Sequence, residues 1–191
     1  EHVERKERLQ RLNAVLDAIG DINQLIVREN DPGELIRKAC DCLVQTPGYE
    51  TAWIALLDED GRLQDVAHAN LSEAHDAIVQ GLETRRSDLC GLPALSRPGL
   101  WAASAPHDYQ PANIYRNQDV MAMRLEHGGQ VYGLMTVSIP PTITIDARER
   151  SLFEEAAGDI AFALHGMAVE RKHRAADQAL KETKHRLSLI L

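Results

Sequence analysis

The sequence predicts an α+β fold, an α/β sandwich in which helices cover one face of an antiparallel sheet of about five to six strands. Apolar residues recur every three or four positions near both chain ends, as in amphipathic helices. The middle of the chain instead holds short alternating segments separated by tight turns. Strands joined by tight turns pair antiparallel, so the terminal helices are left to cover the sheet.

The first thirty residues predict one long amphipathic helix, since residues 3–29 lack proline. Its narrow apolar stripe is typical of a coiled-coil seam. The stripe consists of Leu9, Leu12, Leu16, Ile19, Ile22 and Ile26. A second helix is predicted to begin with Asp31 as cap, Pro32 at the first helical position and Glu34 as capping-box partner.

Two strands and a helix are predicted next. Residues 51–57 are apolar on both faces, as expected of a central strand. The turn at residues 58–61 returns the chain into a partner strand over residues 63–69. A helix over residues 73–81 follows, with Ser72 as its expected cap.

Residues 82–118 predict irregular structure apart from a short strand over residues 100–104. They contain four prolines, at positions 93, 98, 106 and 111. A loop of this length inside a compact domain usually forms a binding site or a lid.

The clearest hairpin pairs residues 120–126 with residues 130–139 around the turn Gly128-Gly129. Asp146 and Glu149 then form a second capping box, which opens a long helix without proline as far as Leu191. We therefore divide the chain into an N-terminal signalling helix (1–30), a sensor domain (31–166) and a C-terminal helical linker (167–191).

Composition excludes several classes of function. The net charge of −8 argues against a nucleic-acid-binding face, since phosphates need clustered Lys and Arg. No apolar run is long enough to span a membrane in this segment. Three cysteines in 191 residues favour a reducing cytoplasm over a disulfide framework. No phosphate loop, nucleophile elbow or zinc-ligand spacing occurs, so we predict neither catalytic nor metal-binding residues.

Several stretches together resemble the GAF domains of bacterial and archaeal sensor histidine kinases. They are Thr51-Ala-Trp-Ile-Ala-Leu-Leu-Asp-Glu-Asp-Gly61, Val66-Ala-His-Ala69, Leu125-Glu-His-Gly-Gly-Gln-Val-Tyr-Gly-Leu-Met-Thr-Val137 and Ala161-Phe-Ala-Leu-His165. The resemblance implies a regulatory module that binds a small ligand or redox cofactor, such as haem or a metabolite, and relays the signal through its terminal helices. It also implies an output kinase or PAS domain in the same polypeptide.

In GAF domains the variable loop lines the ligand pocket, so the resemblance places the ligand-binding residues there. The candidates are Cys90, Trp101, His107, Tyr109 and Tyr115. Aromatic rings could stack on a planar ligand, and His107 could donate a hydrogen bond. The same side chains could instead plug the pocket, which would make the module a ligand-free dimerisation spacer.

A third interpretation is a thiol-dependent free methionine sulfoxide reductase, because some GAF proteins have that activity. It requires thiols that can meet, whereas Cys40 and Cys42 point about 200° apart on a predicted helix. Among the histidines, we expect His127 to be an exposed turn residue. His165, His173 and His185 are expected to be solvated on the last helix.

The helical arms predict a parallel homodimer. Neither apolar stripe is expected to be covered by one compact domain, and two-fold pairing would bring each stripe against itself. The predicted interface residues are Leu9, Leu12, Leu16, Ile19, Ile22, Leu180 and Leu187.

Overall fold

The computed structural model describes residues 2–86, 89–104, 115 and 118–191, with the side chain of residue 72 left out. Its helices are α1 (His2–Arg28), α2 (Pro32–Gln45), α3 (His75–Glu83) and α4 (Ala147–Ile190). Its strands are β1 (Thr51–Leu57), β2 (Leu63–Ala69), β3 (Trp101–Ala103), β4 (Asp119–His127) and β5 (Gln130–Ile139). None of the helices in these ranges has a stretch apolar and long enough to cross a membrane.

The five strands form one antiparallel sheet in the order β2-β1-β5-β4-β3. Strand β5 lies at its centre, and β1 pairs with it over six residues. A Cβ atom at Gly133 would collide with the carbonyl oxygen of Ala55, so only glycine allows β1 and β5 to approach at that point. The predicted antiparallel sheet is thus confirmed, with five strands.

Helices α1, α2 and α4 cover one face of the sheet and form the main hydrophobic core with it. Alternate residues of β5, namely Met135, Val137 and Ile139, point into this core. Helix α4 contributes Phe153 and Ile160 among others, and α2 contributes a fully buried stretch around Leu35 and Ile36.

The opposite face carries a smaller core beneath α3 and a 3₁₀ turn at Leu92–Ser96. Trp53 and Ala55 of β1, Leu134 of β5 and Ala122 of β4 pack here with Ile78 of α3. Strands β1, β4 and β5 thus contribute to both cores, because successive side chains point to opposite faces.

Two ion pairs join α1 to the beginning of α4. Arg8 donates to Asp146 at 2.6 Å on the surface. Arg11 donates to both carboxylate oxygens of Glu149, at 2.8 and 3.1 Å, and this pair is largely shielded from water. Both pairs link residues 138 positions apart, so the two helices run parallel with a constant offset.

The predicted caps of the two helices are confirmed. Asp31 Oδ1 accepts from the backbone N–H of Glu34 at 2.9 Å, and Asp146 Oδ1 accepts from that of Glu149 at 2.8 Å. Ser72 was wrongly predicted as the cap of α3. It lies in a 3₁₀ turn (Ser72–Ala74), and α3 begins only at His75 without a side-chain cap.

The predicted dimer stripe of α1 divides between the protein's own core and its surface. Ile19 and Ile22 are buried against the other helices, and Leu12 is partly buried there. They therefore need no second copy to cover them. Leu9 and Leu16 on α1, and Leu180 and Leu187 on α4, are exposed.

Candidate functional site

A row of side chains crosses the sheet on the face opposite the long helices. The strand register places Trp53 of β1 beside Thr136 of β5, Thr136 beside Ala122 of β4, and Ala122 beside Trp101 of β3. Side chains directly opposite in neighbouring antiparallel strands are about 5 Å apart at Cβ. Two tryptophans therefore flank a small polar centre in the middle of the sheet.

Three of the five predicted ligand-binding residues meet at this row. Cys90 and Tyr115 are buried together with Val120, and Trp101 packs against them. Trp53 Nε1 donates a hydrogen bond to the Tyr115 hydroxyl at 2.8 Å, which ties the variable region to the sheet. The other two candidates, His107 and Tyr109, lie outside the described residues.

Sequence reasoning missed the buried hydroxyl groups on the same face. Thr136 and Ser138 are fully buried, and Thr51 nearly so. Thr51 and Ser138 hydrogen-bond to each other at 2.5 Å, whereas Thr136 Oγ1 has no hydrogen-bond partner among the described residues. The alternation of residues along β5 could have predicted this, because it places Thr136 and Ser138 on one face of the sheet and Met135 and Val137 on the other.

Gly91 brings the backbone next to that unpaired hydroxyl. Its φ is +90°, in the left-handed region that favours glycine. A Cβ at this position would lie 3.1 Å from Thr136 Oγ1 and 3.3 Å from Ala122 Cβ. A larger residue would therefore fill the space next to the hydroxyl.

Burial makes Cys90 a poor nucleophile. It is 1 % exposed, and loss of hydration raises the pKa of its thiol to about 12. Cys40 lies in the core on the helical side of the sheet, so the sheet separates these two thiols. Within the described ranges, no three His, Cys, Asp or Glu side chains are placed to hold a metal ion.

Two histidines extend the row at its β2 edge. His68 stands directly opposite Trp53, and its ring centroid lies 5.0 Å from that of His75 at the start of α3. Burial, together with the neighbouring His75, lowers the pKa of His68. Neither Nδ1 atom has a hydrogen-bond partner within the described part of the chain.

A second aromatic cluster lies where β4, β5 and α4 meet, and it corrects two expectations. His165 is not a solvated helix residue, because its Nδ1 is 2.7 Å from the Tyr132 hydroxyl. His127 is not an exposed turn residue, since it ends β4, is partly buried, and its ring lies 5.2 Å from Phe162 and 4.8 Å from His165. His173 and His185 are exposed on α4, as predicted.

Two adjoining grooves lie beside this cluster, where α4 leaves the domain. Their volumes are about 470 and 410 Å³, and both are lined by Pro32, Leu56, Gln64 and Arg171. An ion pair between Lys172 of α4 and Glu59 of the β1–β2 turn lies at the first groove. Acidic and basic residues both line the grooves, so their charge favours neither an anionic nor a cationic ligand.

Solved structures with the same architecture come from several kinds of protein. The GAF domain of a phosphoenolpyruvate-protein phosphotransferase from Coxiella burnetii superposes with a TM-score of 0.67 at 10 % identity. The match covers 84 % of this chain and 98 % of that one. The GAF domain of a putative sensor histidine kinase from Pseudomonas syringae pv. tomato gives 0.61 at 13 % identity, over 89 % and 98 %.

A third similar structure is free methionine-R-sulfoxide reductase from Neisseria meningitidis in complex with its substrate. Its TM-score is 0.55 at 11 % identity, covering 82 % of this chain and 91 % of that one. At these identities the likeness shows a shared fold and nothing about chemistry. No curated protein matches the sequence.

The sequence itself matches the family model described as GAF domain over residues 29–165. That range contains α2, all five strands and the core part of α4. The chain therefore belongs to the GAF domain family.

Proposed function

We propose that this domain is a non-catalytic sensor that binds a small planar molecule on the sheet face formed by Trp53, Thr136 and Trp101. The Thr136 hydroxyl, which has no hydrogen-bond partner among the described residues, carries the proposal. A buried polar group without a partner is costly, and a ligand polar group would satisfy it. Trp101, which is only partly buried, offers apolar surface for a ring, whereas Trp53 would have to be uncovered by the ligand.

The geometry also supports a relay from that face to α4. Thr136 lies between Met135 and Val137, which pack into the core on the other side of the sheet together with α4. A ligand that displaces β5 would therefore also move Met135 and Val137, which belong to the core against which α4 packs. We propose that α4 transmits this shift to an output domain, such as the kinase expected from the family resemblance.

Cys90 and Tyr115 are poorly suited to hold a haem. A haem needs an axial ligand such as histidine, thiolate or tyrosinate. Cys90 is buried with a pKa of about 12, and the Tyr115 hydroxyl accepts a hydrogen bond from Trp53. Neither group is prepared to bind iron.

Two alternatives have specific support. Trp53, Cys90 and Tyr115 are packed against one another with little exposed surface, which favours a ligand-free spacer. The structural similarity to a methionine sulfoxide reductase is the support for the second alternative, an enzyme. That chemistry would need thiols that meet, and the sheet keeps Cys40 apart from Cys90.

The substitution Thr136→Val distinguishes a ligand-binding sensor from a ligand-free spacer. In a sensor the variant should bind the ligand about fivefold more weakly, because a hydrogen bond between uncharged groups contributes about 1 kcal/mol. Its thermal stability should be unchanged or higher, since an unpaired buried hydroxyl is removed. Thr183→Val on the exposed arm of α4 is the matched control.

The measurement begins with native mass spectrometry and an absorption spectrum of the purified protein, followed by a thermal-shift screen of small metabolites. A compound that stabilises the wild type and the control but not Thr136→Val supports the sensor. Absence of any stabilising compound, with a more stable variant, supports the spacer. Thiol-dependent reduction of free methionine sulfoxide would overturn both.

We further propose that the domain works as a parallel homodimer with α1 and α4 at the interface. The exposed residues Leu9 and Leu16 of α1 and Leu180 and Leu187 of α4 support this assignment. Light scattering at tens of micromolar tests it, and a monomeric wild type would contradict it.

A further inference from the structure

Two histidines at the β2 edge of the sheet form a cluster that the proposed planar-ligand site does not use. His68 of β2 and His75 of α3 place their ring centroids 5.0 Å apart, and the Nδ1 atom of each is shielded from water without a hydrogen-bond partner among the described residues. We infer that these two rings together bind one divalent metal ion: Cu²⁺, Zn²⁺ or Ni²⁺. The ion requires neither the planar ligand nor the homodimer proposed above, so it is a separate binding activity.

The chain between the two histidines is a short turn with firm anchors. Asn70 follows β2 with a φ of +60°, a left-handed conformation that asparagine tolerates, and its side-chain amide donates to the carbonyl oxygen of Glu50 at 2.9 Å. Leu71 and Ala74 are then buried in the smaller core. The first residue of α3 is thus folded back toward the end of β2, which holds the two rings at a fixed spacing.

The separation of the rings matches that of two imidazoles on one ion. An ion bound at about 2.1 Å to one nitrogen of each ring in tetrahedral geometry holds the ring centres about 5 Å apart. The centroids of His68 and His75 have this separation, and their planes are tilted by 53°, which excludes face-to-face stacking as the reason for the contact. Rotation of the side chains therefore suffices for binding, without a change in the backbone.

Neither ring has the partner that a structural histidine normally has. Within the described part of the chain, no group donates to or accepts from the Nδ1 atom of His68 or His75, and neither residue takes part in an ion pair. Buried nitrogen atoms without partners are costly. One metal ion satisfies the lone pairs of both Nδ1 atoms and leaves the proton of each neutral ring on Nε2.

The ligand set determines which ions suit the pair. Imidazole nitrogen suits Zn²⁺, Ni²⁺ and Cu²⁺, with Cu²⁺ bound most tightly, whereas Mg²⁺ and Ca²⁺ prefer oxygen ligands. No third His, Cys, Asp or Glu side chain joins the two rings within the described ranges, so water completes the coordination. The site therefore keeps open positions, unlike a closed structural zinc site.

The position of His68 supplies a direct readout of copper binding. It lies opposite Trp53 in the register of β1 and β2, and the chain contains only two tryptophans. Side chains directly opposite in neighbouring antiparallel strands are about 5 Å apart at Cβ. Copper held by the histidine pair should therefore quench the intrinsic fluorescence, since a paramagnetic ion quenches a nearby indole.

Copper titration of the full chain tests the pair. The wild type, freed of metal with EDTA and desalted, should show saturable quenching by CuCl₂ at one ion per chain. His68→Asn and His75→Asn each remove one of the two nitrogen ligands, so each should raise the dissociation constant at least about tenfold. His127→Asn is the matched control, because its ring lies 4.8 Å from that of His165 in another close histidine pair.

Two further measurements keep the result clear if a variant is less stable than the wild type. An ion that binds only the folded chain raises its melting temperature. ZnCl₂ should therefore stabilise the wild type and His127→Asn, but neither His68→Asn nor His75→Asn, each compared with the same protein in EDTA. Pulsed electron paramagnetic resonance should detect two imidazole rings on copper in the wild type and one in His75→Asn.

The outcomes separate a metal site from two side chains that only pack together. Weaker copper binding by both variants of the pair, with an unchanged control, supports the site. Absence of saturable binding by the wild type overturns it, because the rings then only pack. Equal binding by His68→Asn and the wild type, or an equal loss in His127→Asn, places the ion elsewhere and also overturns the site.

Discussion

Cys90 illustrates how burial decides the chemistry of a single residue. With a pKa of about 12, only roughly one thiol in ten thousand is ionised at pH 8. Cys42 is half-buried, so it should react first with iodoacetamide even though burial also raises its pKa. Peptide mass spectrometry of briefly alkylated native protein should find Cys42 modified and Cys90 intact. Earlier modification of Cys90 would show that the thiol is accessible and activated.

His68 should make stability depend on pH. Burial and the neighbouring His75 lower its pKa in the folded protein, so folding favours the neutral ring. The stability gained is present above the pKa of the unfolded chain and is lost as the pH falls through the lower, folded pKa. Urea unfolding between pH 7.5 and 5.5 should therefore show a shallower loss for His68→Asn than for the wild type. His185→Asn is the control, and a slope identical to wild type in His68→Asn would contradict the prediction.

Residue types alone could nominate Cys90, Trp101 and Tyr115, but not their arrangement. Their contact depends on pairing β3 with β4 across a long loop, and local sequence patterns carry no information on such pairing. The alternation of β5 was sufficient to place Thr136 on the site face. That its hydroxyl lacks a partner depends on what covers the sheet, which only the structure shows.

At the scale of elements, the two ion pairs between α1 and α4 differ sharply in burial. Arg11 and Glu149 are 13 and 5 % exposed, whereas Arg8 is 71 % exposed. Arg11→Met should cost about 3 kcal/mol of folding free energy, because it leaves the Glu149 carboxylate buried without its counter-charge. Arg8→Met should cost less than about 1 kcal/mol. Chemical denaturation measures both, and equal costs would refute the role of burial.

Elements determined by local chemistry were predicted well. Asp31 and Asp146 were recognised because a cap needs only neighbouring residues. The prediction that Ser72 caps α3 was wrong because a 3₁₀ turn separates the two. The start of a 3₁₀ turn and the start of an α-helix look alike in sequence. The stripe of α1 was recognised as apolar, but its division between core and surface depends on how α1 packs on α4.

For the whole molecule, the part of α4 beyond residue 168 should be ordered only in the dimer. Every residue from Val169 onward is exposed in the single chain, and isolated helices of this length are marginal in water. Amide hydrogen exchange over residues 171–190 should slow as protein concentration rises, while residues 150–164 stay protected throughout. Concentration-independent protection of both segments would contradict this.

The parallel offset of α1 and α4 allows a second register of the same kind of ion pairs, three residues away. Arg5, Arg8 and Arg11 are spaced three residues apart, as are their partners Asp146 and Glu149. Sliding α1 by three residues, about 4.5 Å with a rotation of about 60°, would pair Arg5 with Asp146 and Arg8 with Glu149. Apolar residues would also replace one another in the core, with Leu12, Val15, Leu16 and Ile19 moving to where Val15, Ala18, Ile19 and Ile22 now lie. A force on the N-terminal helix α1 would thus displace it along α4 by one discrete step of three residues rather than by a continuous movement.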